Sequence, residues 1–439
     1  MTGTTIAQMV PLLLLPVLTR LFSPEEFGLL AVYSSIIMFV AVIGAGRYEQ
    51  AILLPKEDEK AVNILVLCFL ILTGLLVIIL LVLSVLDDWL IAQINRPALE
   101  PWLWFIPIGV FFASAYRILT AWSNRKKRFK GTSLAIGSQT LSRSGIQLIG
   151  GIQKQGTVTG KMSFSEFVKA LFNKKLPEPT GVSTYGLGAL ILSFIGGFFI
   201  GTLILLIPFW RRDRPLLSAV SWLEMKRQAK VYDKFPKINS VHAMSDELKN
   251  VGVTTTITYF FSEAILGFYS MCMRVLRAPL TVIGNSFAQV FYQKAAELYA
   301  NEKSFMSLFR STTKKLMIIA APIFIVIAFF GPDLFEFVLG GKWREAGVYS
   351  QYLTPWLFGH FIIYTIQQVA VILEKQLKLF FFSLAYNAIM LGSLIIGHYV
   401  FDDIVAGFIL LSSLMSVYFV LLYLWLVRIS KQSCDKFLS

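Results

Sequence analysis

The residues Phe268-Tyr-Ser-Met-Cys-Met-Arg274-Val-Leu-Arg277-Ala-Pro279 stand in the middle of an apolar run, residues 263–291, that predicts a membrane-spanning helix. A hydrocarbon core of about 30 Å takes roughly 20 helical residues. Arg274 and Arg277 are three residues apart, so they share one helix face near the centre of the run. An arginine at the bilayer centre costs about 3 kcal/mol even on a lenient insertion scale. This face is therefore predicted to line a hydrated, positively charged cavity.

The chain as a whole is more apolar than a soluble protein. Of its 439 residues, 56% are hydrophobic and only 15% are charged, and the mean hydropathy is +0.67. Soluble domains carry about 25% charged residues. This composition excludes a disordered chain and a soluble multidomain enzyme, and it indicates a polytopic membrane protein.

Twelve apolar runs are predicted to span the membrane. They cover residues 6–22, 27–47, 62–86, 102–122, 133–152, 185–210, 241–261, 263–291, 316–336, 348–372, 379–401 and 404–427. A long basic connection divides them into an N-terminal lobe (1–212), a cytoplasmic linker (213–240) and a C-terminal lobe (241–439). We therefore predict an all-α integral membrane protein with about 12 transmembrane helices in two six-helix lobes around a central cavity.

The distribution of lysine and arginine predicts the sidedness. One set of alternate loops, together with the C-terminus, holds 26 of the 40 basic residues, including the run Arg125-Lys-Lys-Arg128. Basic loops stay in the cytoplasm, so both termini are predicted to be cytoplasmic. The net charge of +14 then reflects topology and contact with anionic membrane lipids, and no nucleic-acid partner is expected.

The connection 153–184 is predicted to be a long outer loop. Ser163-Phe-Ser-Glu166 has the form of a capping box. Apolar residues then recur with helical spacing at Phe164, Phe167, Val168, Leu171 and Phe172. We interpret this segment as an amphipathic helix on the outer membrane surface, although its five lysines oppose the general charge bias.

A second polar face is predicted in the fifth span. Gln139, Arg143 and Gln147 are spaced by four residues and lie on one side of a helix. The alternative is a hydrogen-bonded ladder that only joins helices. An arginine has no acceptor, however, and three central arginines would together cost on the order of 9 kcal/mol without water, an anion or a carboxylate. These residues are therefore interpreted as cavity lining that meets a substrate pyrophosphate.

Polar residues near the ends of other spans are further candidates, at the cytoplasmic end except for Arg20, which lies near the outer end of the first span. Asp246, Glu247 and Lys249 make the seventh span unusually polar, which favours a moving gate or a coupling-ion site, unless Asp246 and Lys249 form only a local salt bridge. Arg20 and Arg117 either line the cavity or extend to the interface.

Arg47 and Glu49 follow the second span at its cytoplasmic end. Arg47 is a further cavity candidate and Glu49 a further candidate for ion coupling or gating. The alternative for both is that they pair with each other.

No pattern for catalysis, metal binding or a cofactor emerges. The three cysteines and three histidines are widely separated, so neither a metal site nor a disulfide framework is predicted. Gly156-Thr-Val-Thr-Gly-Lys161 lacks the length, the following Ser/Thr and the preceding strand of a phosphate-binding loop. We expect a protein that is not an enzyme.

Several stretches resemble a known family. Gly3-Thr-Thr-Ile-Ala-Gln8, Arg20-Leu-Phe-Ser-Pro-Glu-Glu-Phe-Gly28 and Arg47-Tyr-Glu-Gln-Ala-Ile-Leu-Leu-Pro-Lys56 are similar to segments of the Wzx-type oligosaccharide flippases. These flippases belong to the multidrug/oligosaccharidyl-lipid/polysaccharide exporter superfamily. Later stretches agree with the same family: residues 122–128, 232–236, 274–279 and 331–347.

The resemblance implies a function as well as a fold. It implies export of undecaprenyl-pyrophosphate-linked O-antigen or capsule repeat units from the cytoplasmic to the outer leaflet of the bacterial inner membrane, by alternating access. It implies that Arg274 faces the cavity, that H⁺ or Na⁺ is a candidate coupling ion, and that a polysaccharide polymerase is a candidate partner. One alternative is a cation-coupled multidrug antiporter, whose cavity would need buried carboxylates. The other is a membrane polymerase or glycosyltransferase, which would need an extramembrane loop with catalytic acids or metal ligands.

Overall fold

Apolar runs of this length fold as helices, because a helix satisfies its backbone N–H and C=O groups within the segment itself. The computed structural model describes residues 2–94, 96–159 and 181–435. Within these residues the chain is helical and has no β-strand. Twelve of the described helices contain 20 residues or more.

The helices are numbered in chain order, short ones included. Up to Phe260 they are α1 (Thr2–Leu21), α2 (Pro24–Ile43), α3 (Tyr48–Ala51), α4 (Asp58–Ile94), α5 (Ile106–Arg125), α6 (Phe129–Thr159), α7 (Thr184–Arg212), α8 (Trp222–Val231) and α9 (Ser240–Phe260). They continue with α10 (Glu263–Ala300), α11 (Met306–Leu339), α12 (Arg344–Ile366), α13 (Gln368–Ile372), α14 (Gln376–Phe401) and α15 (Ile404–Asp435). α4 is kinked at Leu86.

Each predicted span overlaps one long helix, and the span 348–372 also includes the short helix α13. The prediction of an all-α membrane protein with about 12 spanning helices is therefore confirmed. Within the described residues, eight helical segments are long and apolar enough to cross a membrane by composition alone. The long helices α1, α6, α9 and α10 are not among them. The apolar part of α1 that meets the hydropathy criterion, Val10–Leu21, is shorter than the eight segments. The helices α6, α9 and α10 carry candidate polar residues of the sequence analysis, which lower their hydropathy.

Contacts within the chain divide it into two units, residues 1–255 and 256–439. In the first unit, α6 packs along α7, where a Cβ atom on Gly197 would lie only 3.0 Å from the carbonyl oxygen of Gln139. In the second unit, a Cβ atom on Gly397 of α14 would lie 2.7 Å from the Cα atom of Gly407 in α15. Glycines at these positions allow neighbouring helices to approach closely.

Part of the basic run that follows α5 is held by an internal carboxylate. Asp213, at the end of α7, is 4% exposed and accepts hydrogen bonds from two nitrogens of Arg128, at 2.6 and 2.8 Å. The indole Nε1 of Trp122 donates to the same carboxylate at 2.7 Å. This network joins the end of α5 to the end of α7, so Arg128 serves the fold as well as the charge distribution.

The end of α6 differs from the predicted boundary. The helix continues beyond residue 152 to Thr159 and includes Lys154, which is 6% exposed. The Lys154 Nζ atom lies 2.7 Å from both carboxylate oxygens of Glu26, a fully buried side chain. This lysine therefore has a buried partner that its position in the sequence does not reveal. The predicted amphipathic helix falls within residues 160–180, outside the described residues.

Glu26 joins three segments. Besides Lys154, it accepts hydrogen bonds from the backbone N–H groups of Ser23 and Ser183, both at 3.0 Å. Ser23 in turn caps α2 in a reciprocal capping box with Glu26. The start of α2, the end of α6 and the start of α7 are thus held by one carboxylate.

Removing the lysine of this pair tests its contribution to stability. Lys154→Met should lower the free energy of unfolding by about 3–5 kcal/mol, because Glu26 would remain buried without its cation. Adding Glu26→Gln should recover part of the loss. Thermal unfolding of the purified proteins in detergent micelles measures both effects.

The matched control is Lys60→Met, which removes the cation of a more exposed pair with Glu57. Its effect should stay below about 1 kcal/mol. Equal unfolding temperatures for Lys154→Met and Lys60→Met would contradict a stabilising role for the buried pair.

Candidate functional site

A cavity of about 560 Å³ lies in the first unit, beside α3 and the C-terminal half of α5. The charge bias of the loops predicts that this half of α5 is near the cytoplasm. Seven of its nine lining residues carry a polar or charged group. It is lined by Arg47, Glu49, Gln50, Leu53, Tyr116, Arg117, Thr120, Ala121 and Asn124. The structure thus brings together three of the predicted site residues, Arg47, Glu49 and Arg117.

A tight turn after α2 places two of these residues. α2 ends at Ile43, and Gly46 and Arg47 then adopt left-handed backbone conformations, with φ of 55° and 60°. Glycine tolerates this region, whereas a residue such as Arg47 is held there at a cost of order 1 kcal/mol. The preceding Gly44 approaches α5 so closely that a Cβ atom would lie 2.3 Å from the Ser114 hydroxyl oxygen. The turn therefore holds Arg47 and the following α3 against α5.

The charges in the cavity are incompletely paired. The Arg47 Nη1 and Glu49 Oε1 atoms are 3.3 Å apart. Three further atoms of these charged side chains are buried without a hydrogen-bond partner among the described residues: Glu49 Oε2, Arg47 Nε and Arg117 Nη1. Such atoms are costly unless water or a ligand meets them. The charged side chains of the cavity thus offer two unfilled donors and one unfilled acceptor.

Glu49 is the most buried charged group of the cavity, with 7% of its surface exposed. Burial raises the pKa of its carboxyl above the ordinary value. A backbone hydrogen bond and the positive charges of Arg47 and Arg117 oppose that increase. Two opposing effects therefore act on this carboxyl: desolvation favours its protonated form, and the two cations favour its ionised form.

Helix α9 adds an acidic group to the same electrostatic environment. The Glu247 carboxylate is close enough to act on the Arg117 guanidinium, and it accepts a hydrogen bond from the Asn250 amide at 3.0 Å. Lys249, on the same helix, is half-buried. The side chain of Asp246, and with it the predicted Asp246–Lys249 pair, lies outside the described part of the chain.

A row of aromatic rings connects Arg143 with one residue of the cavity lining. Its guanidinium carbon lies 5.0 Å from the centroid of the Phe194 ring on α7. Phe194 is followed by Phe198 at 5.3 Å, and Phe198 by the cavity residue Tyr116 at 5.8 Å. Arg143 therefore does not line the cavity, but successive aromatic contacts connect it with the lining residue Tyr116.

The two glutamines of the predicted polar face differ in their surroundings. Gln139 is half-buried and packs against Gly197 and Gly201 of α7. Gln147 is 3% exposed, and its Nε2 atom has no hydrogen-bond partner in the part of the chain that the structure describes. The face therefore runs from the α6–α7 interface into the protein interior.

The remaining arginines lie elsewhere. In the second unit Arg274 is half-buried, whereas Arg277 is exposed and its guanidinium carbon lies 5.7 Å from the centroid of the Trp356 ring. The Trp356 indole donates to the hydroxyl of Tyr386 at 3.2 Å. In the first unit Arg20 donates to the carbonyl oxygen of Pro16, one turn earlier in α1, at 2.6 Å.

Sequence reasoning missed several lining residues, namely Gln50, Leu53, Tyr116, Thr120, Ala121 and Asn124. Tyr116, Thr120 and Asn124 recur every four residues along α5, with Arg117 beside them. This polar stripe was a usable signal, because residues four apart share one helix face. Within the described residues, no group of three or more His, Cys, Asp or Glu side chains is arranged to hold a metal ion.

Comparison with solved structures shows the fold. The chain matches the inward-facing conformation of a multidrug resistance MATE family transporter of the MOP superfamily with a TM-score of 0.60. The match has 13% sequence identity and covers 98% of this chain and 95% of that one. The bent form of the Vibrio cholerae MATE transporter VcmN matches with a TM-score of 0.47 and 14% identity, over 100% and 99% of the two chains.

Comparison with families identifies the chain more closely. No curated protein matches it. A family model described as "Polysaccharide biosynthesis protein" matches residues 17–149 and 181–347, more than half of the chain. The chain therefore belongs to the polysaccharide biosynthesis protein family, with the fold of the transporter that it matches.

Proposed function

We propose that this protein moves an undecaprenyl-pyrophosphate-linked oligosaccharide from the cytoplasmic to the outer leaflet of the bacterial inner membrane, for surface polysaccharide biosynthesis. Membership of the polysaccharide biosynthesis family and the transporter fold support export across a membrane. The observation that carries the choice of substrate is the cavity with Arg47, Arg117 and Glu49, because its cations outnumber its carboxylates.

The charge balance of the cavity favours an anionic headgroup. Arg47 lies next to Glu49, whereas Arg117 has no ion-pair partner among the side chains that the structure describes. Guanidinium groups present several N–H donors that match phosphate oxygens. A site for a cationic drug would instead need an excess of carboxylates, so this cavity supports the flippase over the multidrug antiporter.

The physical problem for such a transporter is the headgroup. Burying a naked anion in hydrocarbon costs tens of kcal/mol. Even a barrier of roughly 20 kcal/mol allows only about 0.01 crossings per second. Guanidinium donors in a hydrated cavity replace the water around the pyrophosphate, while the polyprenyl tail stays in lipid. An inside-negative potential also favours outward movement of an anion, by about 2.3 kcal/mol per charge per 100 mV.

Glu49 is the proposed group for coupling to a cation. Its carboxylate and a bound anion compete for the same guanidinium groups, since Arg47 lies 3.3 Å from Glu49 and Arg117 acts on its charge. Protonation or cation binding at Glu49 would release these donors to the substrate. A proton from the solution is the simplest candidate, because burial already favours the neutral form.

Substitution of the cavity arginine tests the proposed substrate. Arg117→Gln should reduce export about tenfold or more, the factor that corresponds to a lost charge-assisted hydrogen bond. Arg143→Ala and Arg274→Ala are expected to reduce it as well. The measurements are surface polysaccharide and, by mass spectrometry, the lipid-linked intermediate that accumulates in a deletion strain carrying each variant.

The control is Arg310→Gln, which removes an exposed arginine of α11. All variants should be present in the membrane at wild-type levels. Normal surface polysaccharide with Arg117→Gln and Arg143→Ala would overturn the assignment. A loss of drug resistance with unchanged polysaccharide would favour the antiporter instead.

The pH dependence of stability tests the proposed state of Glu49. Below the ordinary pKa of 4.5 the carboxyl is neutral in both the folded and the unfolded chain, so its burial costs little. As the pH rises from 4.5 through the raised pKa, the unfolded chain releases the proton first, and the folded state is progressively destabilised. The unfolding temperature of the wild type should therefore fall more steeply over this window than that of Glu49→Gln.

Thermal unfolding in detergent between pH 4.5 and neutrality measures this difference. Glu57→Gln, which alters an exposed carboxyl nearby in the sequence, should follow the wild type. Identical pH profiles for the wild type and Glu49→Gln would contradict a raised pKa and remove the basis for the coupling role.

A further inference from the structure

The outer face of α8, in the connection between α7 and α9, combines apolar and basic side chains. Its members are all exposed and follow helical spacing, so they lie on one side of the helix. We name this set the linker surface: Trp222, Leu223, Lys226, Arg227, Lys230 and Val231. Trp222 is 62% exposed, Leu223 78% and Val231 60%.

The opposite face of α8 is fixed to the first unit. Met225 and Gln228 are 7% and 5% exposed, and α8 packs against α4. The hydroxyl of Tyr48 in α3 donates to the carbonyl oxygen of Ala229 at 2.9 Å. The linker surface is therefore held outward by contacts on the other side of the same helix.

Hydrogen bonds also fix the start of α8 beside the first turns of the membrane helix α4. The Asn63 side chain donates to the carbonyl oxygen of Ala219 at 3.0 Å and accepts from the N–H of Ser221 at 2.9 Å. Asn63 is only five residues beyond Asp58, the first residue of α4, which is about 7 Å along a helix. Trp222 therefore begins α8 near the end of a candidate membrane span.

The neighbouring end of α7 has the same chemistry. Trp210 is 55% exposed, and the guanidinium carbon of Arg214 lies 5.1 Å from the centroid of its ring. On α8, the Lys226 Nζ atom lies 5.2 Å from the centroid of the Trp222 ring. Tryptophan with adjacent lysine or arginine is typical of the boundary between hydrocarbon and headgroups.

We propose that the linker surface docks on anionic phospholipid headgroups of the bilayer that surrounds the protein. Trp222 and Leu223 enter the headgroup region, and Lys226, Arg227 and Lys230 contact lipid phosphates. Glu224 contacts Arg227 only at the long distance of 3.9 Å. The basic groups therefore complement a negatively charged surface, and the apolar side chains beside them favour a lipid surface over an acidic protein.

A spin label at the apolar end of the linker surface tests the proposal in the full-length protein. The label is attached at Leu223→Cys in a Cys434→Ser background, since Cys68 and Cys272 are buried. Nanodiscs of phosphatidylcholine alone are compared with nanodiscs containing phosphatidylglycerol. In the anionic discs, the ratio of collision rates with oxygen and with a water-soluble nickel complex should rise about threefold or more, as expected for immersion at headgroup depth.

A charge variant and a matched control separate specific docking from general attraction. The triple variant Lys226→Gln, Arg227→Gln and Lys230→Gln should abolish the difference between the two lipid compositions. The control changes three exposed lysines of the second unit, Lys303→Gln, Lys315→Gln and Lys375→Gln, and should leave the difference unchanged.

Each other outcome overturns the proposal. A label that remains accessible to nickel in anionic discs contradicts docking, as does an unchanged result for the triple variant. A label that is aqueous in both discs but immobilised in native membranes indicates a protein partner instead. Because the readout is membrane depth, it is independent of whether the protein exports oligosaccharides.

Discussion

The desolvation of charged side chains is the constraint on which this structure depends. A charge removed from water is tolerated only where other groups replace the lost hydrogen bonds. Most of the interior charges meet that condition: Lys154 lies on the carboxylate of Glu26, and Arg128 on that of Asp213. These pairs join the ends of helices, so the same contacts that neutralise charge also fix the architecture. In the cavity beside Arg117, by contrast, several atoms of charged side chains are buried without a hydrogen-bond partner among the described residues.

Aromatic rings provide a second way to accommodate a cation. Arg143 lies over Phe194, and Arg277 lies over Trp356. The face of an aromatic ring attracts a guanidinium group electrostatically, but it accepts few of its hydrogen bonds. Such a contact therefore helps to fix the position of a guanidinium group inside the protein.

The fold was more predictable than the site, for a physical reason. The twelve spans are local properties of the sequence, because an apolar run of sufficient length must satisfy its own backbone and becomes a helix. The adjacency of Arg47 and Glu49 is also local, and the structure shows them 3.3 Å apart. Arg117 joins them only because a left-handed turn and the contact of Gly44 with Ser114 bring α5 alongside, and no single segment encodes that approach. The buried partner of Lys154 depends in the same way on packing between distant segments.

The unfilled hydrogen-bonding atoms of the cavity also affect how tightly it can bind a ligand and therefore how readily it can release it. A cavity in which every charge had an ideal partner would resist a ligand, because binding would first have to break those pairs. A cavity with several unpaired cations would hold an anion too tightly to let it leave. Arg47 and Glu49 lie between these limits, since their 3.3 Å contact leaves the Nε atom of one and the Oε2 atom of the other unfilled. The carboxylate then competes with a bound anion for the same guanidinium group, and this competition weakens binding without removing the positive charge that attracts the anion. A transport cycle needs that balance, because the cavity must bind its cargo on one side of the membrane and release it on the other.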